Sequence, residues 1–120
     1  MADALAYTAA AVVGLWGTAH LVPTRQVVAG FGEITRDSRL VLTMEWVAEG
    51  LAMWFVAVLV FGMTLAGDPA DLVYRLGAGF LVVLGGWTAA TGARTPVMWF
   101  KACPVVMAAG AALLVAASLT

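Results

Sequence analysis

The sequence predicts an all-α integral membrane protein, an antiparallel bundle of four transmembrane helices forming one domain over residues 1–120. The 120 residues are 63% hydrophobic and only 11% charged, with a mean hydropathy of +0.99. Soluble domains run at about 45–50% apolar and about 25% charged. A chain this short has too little interior to hide so many apolar side chains from water. The apolar residues also fall into four runs near the roughly 20 residues that a helical span needs. The same numbers exclude a disordered chain. A net charge of −1 provides no basic face for nucleic acid, and one cysteine, Cys103, supports neither a disulfide scaffold nor a Cys-based metal site.

The first span covers about 4–22 and is closed by Pro23. The acidic start Met1-Ala2-Asp3 and the ending His20-Leu21-Val22-Pro23 lack the basic flank and small-residue cleavage site of a signal peptide, so this span is expected to be retained. A connection follows over 23–39, and the second span is expected over 40–66. The run Gly67-Asp68-Pro69-Ala70-Asp71 reads as a turn by composition. The third span is expected over 72–91. A connection over 92–101 leads to the fourth span, 102–119, with Pro104 in its first turn, where proline is tolerated.

Orientation follows from the basic residues near the span ends. Arg25, Arg36, Arg39, Arg94 and Lys101 lie in the first and third connections, and only Arg75 lies on the opposite side. That asymmetry places connections 23–39 and 92–101 in the cytoplasm and both termini outside a cell membrane. Arg75, with Asp71 and Asp68 nearby, reads as a snorkelling arginine paired at the interface. Trp99 and Phe100 beside Lys101 read as an interfacial belt. The glycines of spans one and three, with Gly110 in span four, suit close helix packing. Their smooth grooves equally suit an isoprenoid or acyl chain.

In the first connection, Val27, Val28, Phe31 and Ile34 form a short amphipathic pattern after a Thr24 cap, weakened by Gly30 and Gly32. Such a segment lies on the membrane surface or dips in as a lid. Gly30-Phe31-Gly32 lacks the strand and helix context of a phosphate loop, which argues against nucleotide binding.

The sharpest signal is the pair Glu45 and Glu49 in the second span. A spacing of four puts both carboxyls on one helix face. Counted from Leu40, they lie about 7 Å and about 13 Å inside the membrane. An ionisable group at that depth costs at least about 2.5–3.5 kcal/mol and marks function by default. A close carboxyl pair in a low dielectric favours a neutral acid able to donate a proton. The structural alternative is a polar lock, with hydrogen bonds from Thr88, Trp16, Trp87 or His20 or an ion pair with Arg25 or Arg39.

Antiparallel alternation brings His20 and Trp16, Trp87, Thr88 and Thr91, and Cys103 to the level of these carboxyls. His20 is the only histidine, which leaves a metal site short of nitrogen ligands, so neither metal nor cofactor is expected. Glu49 and Glu45, with His20 assisting, are the candidate catalytic groups. Trp16, Trp46, Trp87, Thr88 and Met53 are the candidate substrate-binding groups. A carboxylic acid beside aromatic faces, which stabilise cations by about 0.5–2 kcal/mol each, suits protonation of an alkene or epoxide in a lipid-like molecule.

In residue types and layout, this constellation resembles small membrane-integrated terpene cyclases and sterol-isomerase-like proteins. That likeness implies an acid role for Glu45 and Glu49 and an isoprenoid-derived substrate. His20-Leu21-Val22 closing span one, followed by Glu45 or Glu49 in span two, also resembles short DoxX-like four-span membrane proteins. That second likeness implies a non-enzymatic subunit binding a partner or a quinone headgroup. A small transporter or proton path is the third expectation and would need the helices to form a homo-oligomer. The bilayer and a lipid-like small molecule are the expected partners, with no nucleic acid.

Overall fold

The computed structural model describes residues 1–67 and 70–120. The described residues are helical throughout their long elements: α1 (Ala2–Leu21), α2 (Thr24–Ala29), α3 (Arg36–Ala66), α4 (Asp71–Ala90) and α5 (Met98–Ser118), with a 3-10 turn over Gly92–Arg94. Four of these helices, all but α2, are long and apolar enough to cross a membrane. Asp68 and Pro69 of the expected turn, and with them Asp68 as a partner for Arg75, lie outside the described residues.

The helix ends show why two boundaries differ from the apolar runs. Helix α3 begins at Arg36, a turn before Leu40, because Thr35 caps it: the Ser38 amide donates to Thr35 Oγ1 at 3.1 Å. Asp37 in the first turn suits the helix dipole. At the far end Gly67 takes φ 70°, the left-handed cap that glycine adopts without penalty. Helix α5 begins at Met98, after the extended Val97. Trp99, Phe100 and Lys101 therefore belong to its first turn and not to the preceding connection. Pro104 lies inside α5, beyond the first turn, and leaves the Phe100 carbonyl without its usual amide donor. Thr24 does not cap α2: Pro23 holds the cap position, and the Thr24 hydroxyl donates back to the Leu21 carbonyl.

The long helices alternate in direction. Helix α1 packs on α3 and α5, and α4 packs on α5. Their shared core holds Ala6, Ala9 and Val13 of α1, Met53 and Val60 of α3, Leu81 of α4, and Met107 and Leu114 of α5. Small residues set the spacing. At the α1–α3 crossing, a Cβ on Gly17 would stand 3.2 Å from Met53 Cβ and 3.3 Å from the Gly50 carbonyl. At Gly110 it would stand 2.8 Å from Val13. Gly79 and Gly86 have open space instead. The outward surface is strongly apolar and includes Leu51, Phe55, Val58, Leu76, Val83 and Val105.

Helices α3 and α4 meet at one end only. There the Tyr74 and Thr64 hydroxyls are 2.8 Å apart, both buried, and Gly77 approaches Val56 and Val60. Toward Glu49 and Trp87 the two helices part, leaving a hollow between them that borders the candidate site.

Candidate functional site

The end of α1, the start of α3, the end of α4 and the start of α5 frame a half-open cavity of about 950 Å³. Its lining includes Trp16, His20, Trp46, Glu49, Thr88 and Cys103. Alternating helix directions bring these distant positions to one level. Helix α2 and the residues after it close the end of the bundle: Gln26, Val27 and Phe31 line the cavity, and Val28 is buried. A second hollow of about 350 Å³ opens in the gap between α3 and α4, bounded by Leu42, Glu45, Ala48 and Leu84. Glu49, Trp46, Trp87, Val27 and Phe31 line both hollows.

His20 is held firmly. Its Nε2 lies 3.0 Å from the Trp46 carbonyl, and Trp46 Nε1 donates to the His20 carbonyl at 2.8 Å. The two rings stack at 3.8 Å with planes 12° apart. A carbonyl only accepts, so Nε2 carries the proton of the neutral ring and Nδ1 keeps the lone pair. Phe100 also packs on the Trp46 ring, with centroids 5.6 Å apart and planes tilted by 54°.

Glu49 faces this pair. Its Oε2 lies 3.7 Å from His20 Nε2, an electrostatic contact longer than a hydrogen bond. It is the only such contact among the described residues, so neither Arg25 nor Arg39 pairs with Glu49, and Arg75 does not pair with Asp71. Glu49 Oε1 is buried with no hydrogen-bond partner, and so is Trp16 Nε1. Leaving such a group unpaired costs about 1–3 kcal/mol. Trp16 and Thr88 lie against the Cys103 sulfur, and Glu49 is close enough to act on it electrostatically. The Thr88 hydroxyl is spent on the Gly85 carbonyl at 3.1 Å.

The structure separates the two glutamates. Glu49 lines the main cavity, whereas Glu45 is exposed and borders only the smaller hollow. A 100° step per residue carries i and i+4 about 40° apart, enough for one carboxyl to enter the bundle and the other to remain at its edge. Trp16, Trp46, Trp87, Thr88 and His20 all line the main cavity. Met53 does not: it is fully buried in the core one turn further along α3. Phe100 was readable only as an interfacial aromatic, although its spacing of three from Cys103 places both on one face of a helix that starts early enough. Val27 and Phe31 were legible as an amphipathic pattern but not as cavity lining.

No group of three or more His, Cys, Asp or Glu side chains suited to a metal occurs among the described residues. Comparison with protein-family models, curated proteins and solved structures finds no match to this chain.

Proposed function

We propose that this protein is an intramembrane acid–base enzyme, a cyclase or isomerase of an isoprenoid-derived, lipid-like molecule, with Glu49 as its proton donor. The four apolar helices and their apolar outward surface support insertion in a bilayer. The distribution of basic residues supports a cell membrane orientation with 23–39 and 92–101 in the cytoplasm and the termini outside.

The observation that carries the chemistry is the unpartnered Glu49 Oε1, buried at the wall of an apolar cavity of about 950 Å³. In its protonated form Glu49 gives its proton to an alkene carbon or an epoxide oxygen of the substrate. A new C–H or O–H bond forms, the π or C–O bond breaks, and a carbocation remains. Trp16, Trp46 and Trp87 offer aromatic faces to that cation. Loss of a proton from a neighbouring carbon, to the Glu49 carboxylate or to His20 Nδ1, restores an alkene and completes the isomerisation or cyclisation. Glu45 stays outside this exchange, at the outer hollow.

Purified protein in nanodiscs, supplied with polyprenyl alkenes and epoxides and followed by mass spectrometry and chromatography, tests the reading. Conversion that Glu49→Gln abolishes supports it. Equal conversion by Glu49→Gln overturns it, and a stoichiometric co-purified partner indifferent to Glu49 would favour the DoxX-like subunit instead.

A further inference from the structure

Two side-chain polar atoms at the main cavity are buried and without a hydrogen-bond partner. His20 Nε2 is committed to the Trp46 carbonyl, Trp46 Nε1 to the His20 carbonyl, and the Thr88 hydroxyl to the Gly85 carbonyl. Trp16 Nε1 and Glu49 Oε1 make no hydrogen bond of normal geometry; the Cys103 sulfur beside Trp16 is only a weak acceptor, which an oxygen would outcompete. They come from different helices, α1 and α3; Trp16 lies against the Cys103 sulfur of α5, Glu49 acts on that sulfur electrostatically, and all three side chains line the cavity. Much of the remaining wall is aromatic or aliphatic, with Trp46, Trp87, Val27, Phe31, Val97 and Phe100 prominent.

The chemistry of the two atoms restricts what completes them. An indole N–H only donates. Its partner must be an acceptor, which a hydrocarbon lacks. A carboxylate oxygen only accepts, and a carboxylic acid also donates. A hydroxyl group meets both demands in either state of Glu49. Its oxygen accepts from Trp16 while its hydrogen goes to the Glu49 carboxylate, or its oxygen accepts from Trp16 and from the protonated acid together. A ketone or ether oxygen fits only the protonated state, and an ammonium group cannot accept from Trp16 at all.

We infer that the cavity binds an apolar alcohol, its hydroxyl held between Trp16 Nε1 and Glu49 and its body lying along the aromatic wall toward the gap between α3 and α4. The lipid-like body rests on the function proposed above; the hydroxyl head rests on the two unclaimed atoms alone. In that role Trp16 determines specificity without exchanging a proton.

Farnesol and its hydrocarbon counterpart farnesene, compared in nanodiscs at equal mole fraction, separate the possibilities. The only cysteine, Cys103, lines the cavity, so its reaction with a small methanethiosulfonate reagent reports occupancy, and the shift of thermal unfolding gives the same comparison independently. Farnesol is expected to bind about tenfold more tightly than farnesene, the increment of one or two net hydrogen bonds. Trp16→Phe, which keeps an aromatic ring and removes the N–H, should cut the preference to about threefold, the share left by the bond to Glu49. Glu49→Gln, which keeps both an acceptor and a donor, should retain the preference for the alcohol, and Glu49→Leu should reduce it to about threefold. Equal binding of farnesol and farnesene to the unaltered protein overturns the inference, because a trapped water would then complete the two atoms. An alcohol preference undiminished by Trp16→Phe also overturns it. A preserved alcohol preference with no turnover of any isoprenoid defeats the acid–base reading and leaves this one standing.

Discussion

His20 and Trp46 hold each other by three contacts at once: each ring approaches the other residue's backbone carbonyl, at 3.0 and 2.8 Å, and the rings stack 3.8 Å apart. The arrangement joins the last turn of α1 to the early part of α3 across 26 residues of sequence. It fixes both the tautomer and the position of the only histidine, beside the carboxyl that carries the proposed chemistry. Trp46→Phe keeps the stack and removes the N–H. Loss of about 0.5–1.5 kcal/mol of stability is expected, measured by reversible unfolding in mixed micelles; no loss would show that the indole hydrogen bond contributes nothing.

The α1–α3 crossing beneath that pair has no room for a methyl group at Gly50. A Cβ there would stand 2.5 Å from Leu21 Cδ2 and 2.6 Å from its Cγ. Gly50→Ala should therefore destabilise the bundle by about 1–3 kcal/mol, and Leu21→Ala in the same chain should recover part of that loss. A double-mutant cycle reads the coupling directly. Additive effects would mean that the two side chains do not compete for this space.

Tyr74 and Thr64 form a buried hydroxyl pair at the opposite end of the bundle, 2.8 Å apart. Tyr74→Phe should cost about 1 kcal/mol of stability and leave ligand binding at the cavity within about twofold, since the sites share no residue and distant effects are close to additive. A large change in binding with little change in stability would contradict that separation.

Glu45 and Glu49 provide the sharpest contrast. Glu45→Gln should leave turnover within about threefold, whereas Glu49→Gln should lower it by about a hundredfold or more, the contribution of a positioned general acid. The comparison is made at saturating substrate, with folding checked by circular dichroism. Equal sensitivity of both positions would return Glu45 to the chemistry.

The legible part of this molecule was its periodicity and its level. Four apolar runs predicted the four long helices, and alternation of direction was enough to bring Trp16, His20, Glu49, Thr88 and Cys103 to one cavity. Helix starts were read less well because hydrophobicity marks where a helix becomes apolar, not where its amides find a cap. Thr35 begins α3 among polar residues. Rotation about the helix axis was beyond the sequence as well. A 40° difference decides whether a carboxyl enters the cavity, as Glu49 does, or stays at the edge, as Glu45 does. The depth of Met53, fully buried in the core rather than at the cavity wall, depends on how closely α1 approaches at Gly17. That is a property of two helices together.

Because α3 and α4 touch near Tyr74 and diverge toward Trp87, they resemble a clothes-peg jointed at the closed end. The distance from Tyr74 to Trp87 along α4 is about 20 Å, so a tilt of about 5° moves the open jaw by about 2 Å. The packing of α1 on α5, tight where Gly110 meets Val13, joins the two pairs and resists such a tilt. The width of the open side is therefore set by the angle between two helices and not by the side chains at its edge.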